Sequence, residues 1–149
     1  MAKVSTYLNF SRQTKEAFEL YKKVFKTEYL GIFTMRDAPA ESGQPEIKEE
    51  DKGLIMHVAL PILGGYVLMG TDAPACMGSD ISFGNNISIN LEPDTLEEAQ
   101  RLFGELSDGG VVHQPLEKSF WGAYYASFSD RFGVNWMINC ELEGLESFI

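Results

Sequence analysis

Polar and apolar residues alternate along several short stretches of this chain and recur at helical spacing along two others. From Val4 to Phe10 the positions Val4, Thr6, Leu8 and Phe10 point one way and Ser5, Tyr7 and Asn9 the other, the period of a strand. Ala17, Phe18, Leu20, Tyr21, Val24 and Phe25 then form one apolar stripe of a helix that Ser11 or Thr14 can cap. Tyr29–Met35 reads as a second strand. Leu54–Ile62 and Tyr66–Thr71 read as two more, joined at Leu63-Gly64-Gly65, a hairpin signal. The stretch 37–53 is polar, carries Pro39, Pro45 and a Glu49-Glu50-Asp51 cluster, and has no period, so it reads as a long solvated loop or a lid.

The second half follows the same order. After a linker over 72–84, Asn86–Leu91 alternates as a strand. Asp94 and Glu97 make a capping-box pattern before a helix over Thr95–Ser107, which Asp108-Gly109-Gly110 ends. Val111–Leu116 begins the next strand. Tyr124–Phe128 and Val134–Cys140 form a hairpin around Asp130-Arg131-Phe132-Gly133, where glycine tolerates positive φ and the aspartate caps the turn.

The helices superpose as Glu16-Ala17-x-x-Leu20-Tyr21 on Glu98-Ala99-x-x-Leu102-Phe103. The first strands superpose as Asn9-Phe10 on Asn90-Leu91, and the closing hairpins as Gly65 on Gly133 and Met69 on Met137. Helix, strand and hairpin matching in one order is a repeat. The predicted fold is α+β: two tandem βαβββ modules, about 3–72 and about 85–141, forming a curved mixed sheet or partial barrel with the helices outside. The non-helix faces are expected to line a concave cleft.

Charge narrows the partners. The net charge is −10, from 22 acidic and 12 basic residues, which opposes binding to a phosphate backbone or an anionic membrane surface. The N-terminus lacks the apolar run of a signal peptide and no stretch is long enough to span a membrane, so a cytoplasmic protein is expected. Cys76 and Cys140, with no CxxC spacing, read as reduced thiols.

Tyr7-Leu8-Asn9-Phe10, Met56-His57, Phe120-Trp121-Gly122 and Asp130-Arg131-Phe132-Gly133-Val134-Asn135-Trp136 together resemble the PhnB-like branch of the vicinal oxygen chelate superfamily. That superfamily holds the glyoxalases, bleomycin-resistance proteins and extradiol dioxygenases. The resemblance runs from about Val4 to Cys140 and makes the whole chain, 1–149, a single glyoxalase/bleomycin-resistance-like domain. It implies paired βαβββ modules, a homodimer and, in the metal-dependent members, ligands on the first and last strands of each module. Those positions carry over to Ser5, Met69, Asn86 and Met137. A hydroxyl, an amide and two thioethers are poor donors for a divalent ion, so no cofactor is predicted, a recruited divalent metal being the alternative.

Alternation places His57 and Ala59 on the concave side and Met56, Val58, Leu60 and Ile62 toward the helix. Imidazole is the side chain that titrates near neutrality, so His57 is the candidate catalytic group, as general acid or base beside Tyr7 or Tyr125. Its alternative is a structural histidine bonded to a neighbouring strand. Tyr7, Asn9, Asn86, Ser88, Trp121 and Tyr125 are the candidate ligand-binding residues, with Trp121 at the rim. His113 reads as solvated or packing, Asp130 as a turn cap, and Trp136 as core.

Three functions stay open: a small-molecule binding module without a native metal, an enzyme of the lyase, isomerase or transferase kind using His57 or a recruited metal, and a protein-interaction scaffold. PhnB-like proteins sometimes carry a demethylubiquinone methyltransferase label. Methyl transfer finds no support, because no glycine-rich turn follows a strand and opens a helix.

Overall fold

The computed structural model describes residues 1–38 and 47–141. The middle of the loop expected over 37–53, with Pro39 and Pro45, lies outside the described residues. Two compact units divide between Ser82 and Phe83, inside the expected linker, and each is a βαβββ module with a four-stranded mixed sheet.

Module 1 runs β1 (Thr6–Phe10), α1 (Thr14–Phe25), β2 (Gly31–Thr34), β3 (Ile55–Pro61) and β4 (Val67–Asp72). The sheet order is β1-β4-β3-β2, with β1 parallel to β4 and the other pairs antiparallel. Ala17, Phe18, Tyr21 and Val24 of α1 are buried against Leu68, Val58 and Leu60 of the sheet. Gly70 is required under that helix: a Cβ there would stand 2.6 Å from Phe18 Cε1. Neither Ser11 nor Thr14 caps α1, whose N-cap is Gln13 without a side-chain bond. The start of the helix is instead held by a carboxylate from β4. Asp72 Oδ1 accepts from Thr14 N at 3.1 Å and Oδ2 from Ile55 N at 2.7 Å, so a buried acid joins helix and sheet where a local cap was expected.

The alternation predicted for β3 fails at its start. Ile55 is buried and Met56 is half-buried, because pairing with β2 passes from Phe33–His57 to Thr34–Ile55. Such a bulge puts two residues of one strand against one of the other and re-aims those before it. From His57 onward the expected faces hold: Val58 and Leu60 are fully buried and His57 is partly open, although Ala59 is itself buried at this sheet centre.

Module 2 runs β5 (Ile89–Leu91), α2 (Leu96–Ser107), β6 (Val111–Lys118), β7 (Tyr124–Ser129) and β8 (Asn135–Cys140), in the order β5-β8-β7-β6. Leu91, Ala126, Phe128, Trp136, Ile138 and Cys140 are buried with Ala99, Leu102 and Leu106 of α2. The cap of α2 is Thr95, whose hydroxyl accepts from Glu98 N at 3.1 Å, one residue beyond the expected Asp94. The sequence Thr95-Leu96-Glu97-Glu98 carries the same S/T-x-x-E pattern, and the shift places Asp94 outside the helix.

The register also corrects the repeat. Val58 pairs with Gly70 and Ala126 with Ile138, which keeps the hairpins at 68 residues. Leu8 pairs with the same Gly70 and Leu91 with the same Ile138, so Leu8 and Leu91, 83 residues apart, are equivalent. The superposition of Asn9-Phe10 on Asn90-Leu91 is therefore two residues out. A slip of two preserves which side chains face which way, so hydrophobic alternation does not expose it. On the corrected register the counterpart of Ser5 is Ser88 rather than Asn86.

Candidate functional site

The open face of the module 1 sheet carries Tyr7 and Asn9 on β1, Met69 and Thr71 on β4 and His57 on β3. Tyr7 pairs with Met69 and Asn9 with Thr71 across the parallel β1–β4 ladder. Tyr7 and His57, 50 residues apart in sequence, are joined by a 3.0 Å hydrogen bond between the phenol oxygen and Nδ1, with ring centroids 5.7 Å apart. Burial raises the pKa of the Tyr7 phenol, outweighing the opposite pull of its hydrogen bond with Thr71. Either group can donate in this bond, and each direction commits Nδ1 and leaves Nε2 of His57 for a ligand. Thr71 Oγ1 donates to Met56 O at 2.8 Å and steadies the strand beside them. Of the ligand-binding candidates in this module, Tyr7 meets the candidate acid–base residue directly. Asn9 is exposed on the same face, one pleat further along β1.

In module 2, Trp121 lies in the connection between β6 and β7, and its ring is 6.1 Å from that of Tyr125 on β7. Tyr125 pairs with Asn139 of β8, and Asn139 Nδ2 donates to Asn90 Oδ1 at 2.7 Å. Asn86 and Ser88 are exposed in the segment leading into β5. The strand register thus gathers Trp121, Tyr125 and Asn90, and adds Asn139, which sequence reasoning missed. Its signal was available: Asn139 is two residues after Met137, on the same face of a strand already assigned.

A second polar chain on module 2 includes His113. Asn135 Nδ2 donates to Gly84 O at 2.9 Å and Ile87 O at 3.1 Å, which leaves its Oδ1 to accept from Ser129 Oγ at 2.8 Å. With that hydroxyl proton committed, His113 Nε2, 3.1 Å from Ser129 Oγ, is the donor to it. This histidine orders a strand edge and does not activate the serine. Asp130 likewise serves the turn: its Oδ1 accepts from Phe132 N at 2.9 Å and Val134 N at 3.1 Å.

The four positions that carry over from metal-dependent relatives hold a hydroxyl, an amide and two thioethers, poor donors for a divalent ion. Ser5 Oγ lies 3.9 Å from Met69 Sδ, a hydroxyl beside a soft thioether, and Met137 pairs with Asn90. Among the described residues no three His, Cys, Asp or Glu side chains are grouped to hold a metal. Outside these faces, Arg12 donates to the buried Asp51 at 2.9 Å and approaches the exposed Cys76 thiol at 3.4 Å.

A family model described as 3-demethylubiquinone-9 3-methyltransferase matches residues 2–139. The chain belongs to this family. Solved structures similar to this chain agree with the PhnB-like resemblance in the sequence. Protein PA1353 from Pseudomonas aeruginosa is 34% identical, with 96% of this chain and 100% of that chain covered and a TM-score of 0.82. The PhnB protein from Bacillus cereus is 22% identical over 93% of this chain and 99% of that one, TM-score 0.74. A glyoxylase/bleomycin resistance protein/dioxygenase domain from Frankia sp. EAN1pec is 11% identical, covers 97% of this chain and 95% of its own, and has a TM-score of 0.64. The last two likenesses are of fold alone. The methyl transfer in the family's description has no glycine-rich strand-to-helix turn to rest on here: the β1–α1 connection is Ser11-Arg12-Gln13 and the β5–α2 connection Glu92-Pro93-Asp94-Thr95. Gly64 and Gly65, both at positive φ, turn one strand into the next. No helix among the described residues is long and apolar enough to cross a membrane.

Proposed function

We propose that this protein binds a small organic molecule on the open sheet faces of its βαβββ modules, and that it does so without a native metal. The observation that carries the reading is the Tyr7–His57 hydrogen bond of 3.0 Å on a partly open face that also presents Asn9. A sheet face with no ligand to recognise has little use for an aligned phenol and imidazole, whereas a binding site needs a few placed polar groups among apolar ones. On the open face of module 2, Asn86, Ser88, Trp121 and Tyr125 are the proposed ligand-binding residues. A homodimer in the cytoplasm is part of the proposal, supported by the superfamily resemblance and by two free cysteines.

The test is a thermal-shift screen of planar and cationic small molecules against the intact protein, followed by NMR of the His57 ring. A compound that raises Tm and shifts the His57 resonances, with the rise in Tm lost in His57→Ala, is the expected result. A screen with no stabilising compound overturns the reading. Elemental analysis of freshly purified protein tests the metal clause, and stoichiometric Ni, Zn, Mn or Fe would overturn it.

Catalysis is the second reading, favoured by the same hydrogen bond. With Nδ1 committed to Tyr7, Nε2 is the ring nitrogen of His57 left to meet a substrate. On this reading His57 acts as general acid or base in a lyase, isomerase or transferase step. Any turnover found in the screen should then disappear in His57→Ala and change its pH profile in Tyr7→Phe.

A further inference from the structure

Module 2 carries an aromatic arrangement that the Tyr7–His57 pair does not use. Phe120, Trp121 and Tyr125 meet edge to face. The Trp121 ring is 4.9 Å from that of Phe120 at 90° and 6.1 Å from that of Tyr125 at 64°. Phe120 is 97% exposed and Trp121 36% exposed, so these rings spend apolar area on water instead of on the core below them. Rings at such angles form a corner. A corner suits a rounded group, whereas a flat ligand stacks between parallel walls.

Charge decides what that group is. Glu117 of β6 pairs directly with Tyr125, so the two side chains leave the same face of the sheet. Its neighbour Lys118 pairs with Tyr124 and points to the other face. Among the described residues Glu117 has no ion pair. On the other side of Tyr125 stands Asn139, and its bond to Asn90 leaves a side-chain carbonyl oxygen as a free acceptor among the described residues. Aromatic faces are the negative ends of ring quadrupoles, so every group at this corner favours a cation and none repels one. The net charge of −10 raises the local concentration of cations further.

We propose that Phe120, Trp121 and Tyr125, with Glu117 as countercharge, form a site for an organic cation of the alkylammonium class. This names the ligand class for the small-molecule binding proposed above and rests on that reading. Trp121 and Tyr125 supply the ring faces, Glu117 the carboxylate, and Asn139 an acceptor for any N–H or O–H the ligand carries.

The test compares choline with its neutral isostere 3,3-dimethylbutan-1-ol on the full chain, read from the two indole N–H resonances. Trp136 is fully buried, so its signal serves as the internal reference for an intact fold. Choline is expected to shift the Trp121 signal saturably and leave the Trp136 signal in place, with the alcohol at least about tenfold weaker, a difference of about 1.4 kcal/mol. Glu117→Gln should weaken choline several-fold and flatten its salt dependence while leaving the alcohol unchanged. Trp121→Leu, folded by the unshifted Trp136 signal, should lose choline binding read from the Tyr125 resonances. Equal affinity for choline and the alcohol overturns the proposal, as does the absence of a saturable shift with choline. If choline fails while another compound shifts His57, the cation site falls and the broader binding reading stands. If no compound binds, both fall.

Discussion

The Trp136 indole nitrogen donates a hydrogen bond of 2.9 Å to Asp130 Oδ2, tying the largest buried side chain of module 2 to the turn that precedes its strand. The same carboxylate's other oxygen takes the backbone N–H groups of Phe132 and Val134. One acid therefore holds the hairpin turn and seats the core tryptophan. Asp130 is itself 3% exposed, so nothing in solvent replaces it when it is removed.

Asp130→Ala leaves an indole donor and two backbone donors without this partner, and is expected to destabilise the protein by about 3 kcal/mol. Trp136→Phe, which removes the same bond and puts a smaller ring in the core, should also destabilise. Combining the two should cost less than the sum, because each change removes the same bond. Urea unfolding of the four proteins in a double-mutant cycle measures this. Additive losses would show that the bond contributes nothing of its own.

Thr95 and Asp94 are adjacent candidates for capping α2, and only Thr95 has its oxygen on Glu98 N. Thr95→Ala should cost about 1 kcal/mol, the usual loss of a side-chain N-cap. Asp94→Ala should cost less than half of that, leaving only a fraction of the helix-dipole contribution. Equal losses in urea unfolding would return the cap to Asp94.

Tyr7 makes stability depend on alkaline pH. Burial raises its phenol pKa in the folded protein, so the native state holds that proton more tightly than the unfolded chain does. As pH rises past the ordinary tyrosine value, the unfolded chain releases its proton first and stability is lost, through the window up to the raised folded value. Below that window the group contributes no pH dependence. Tyr7→Phe should flatten part of the decline. Tyr29, raised mainly by burial with a further push from Glu19, keeps the remainder. Unfolding free energies measured in steps from neutral to strongly alkaline pH, wild type against Tyr7→Phe, would show parallel curves if Tyr7 played no part.

The two thiols should separate cleanly by reactivity. Cys140 is fully buried and its pKa is raised by burial and, to a smaller degree, by Asp94, so little thiolate is present at mildly alkaline pH. Cys76 is exposed beside Arg12. A thiol-disulfide reagent should modify one cysteine quickly and the second only when denaturant unfolds the chain, with the fast phase absent in Cys76→Ser. Two fast phases in the native protein would show that the β8 end of the core opens readily.

Sequence alone determined the elements, their order and the faces of most strands. Periods of two and 3.6 are local properties, and the residues that carry them (Phe10 and Leu91, Ala17 and Tyr21, Trp136 and Ile138) meet the core wherever the strands pair. It also named Tyr7, His57 and Tyr125, because an alternation once assigned says which polar residues share a face, and Trp121 by its place just ahead of a strand. Tertiary structure decided what that alternation leaves degenerate. A two-residue slip keeps every face, so pairing alone placed Leu8 with Leu91 and Ser5 with Ser88. The bulge at Ile55, the Asp72 carboxylate at the start of α1, and the bonds Tyr7–His57 and Asn139–Asn90 join residues far apart in the chain. Such contacts form where strands happen to lie side by side, and no local pattern encodes that distance.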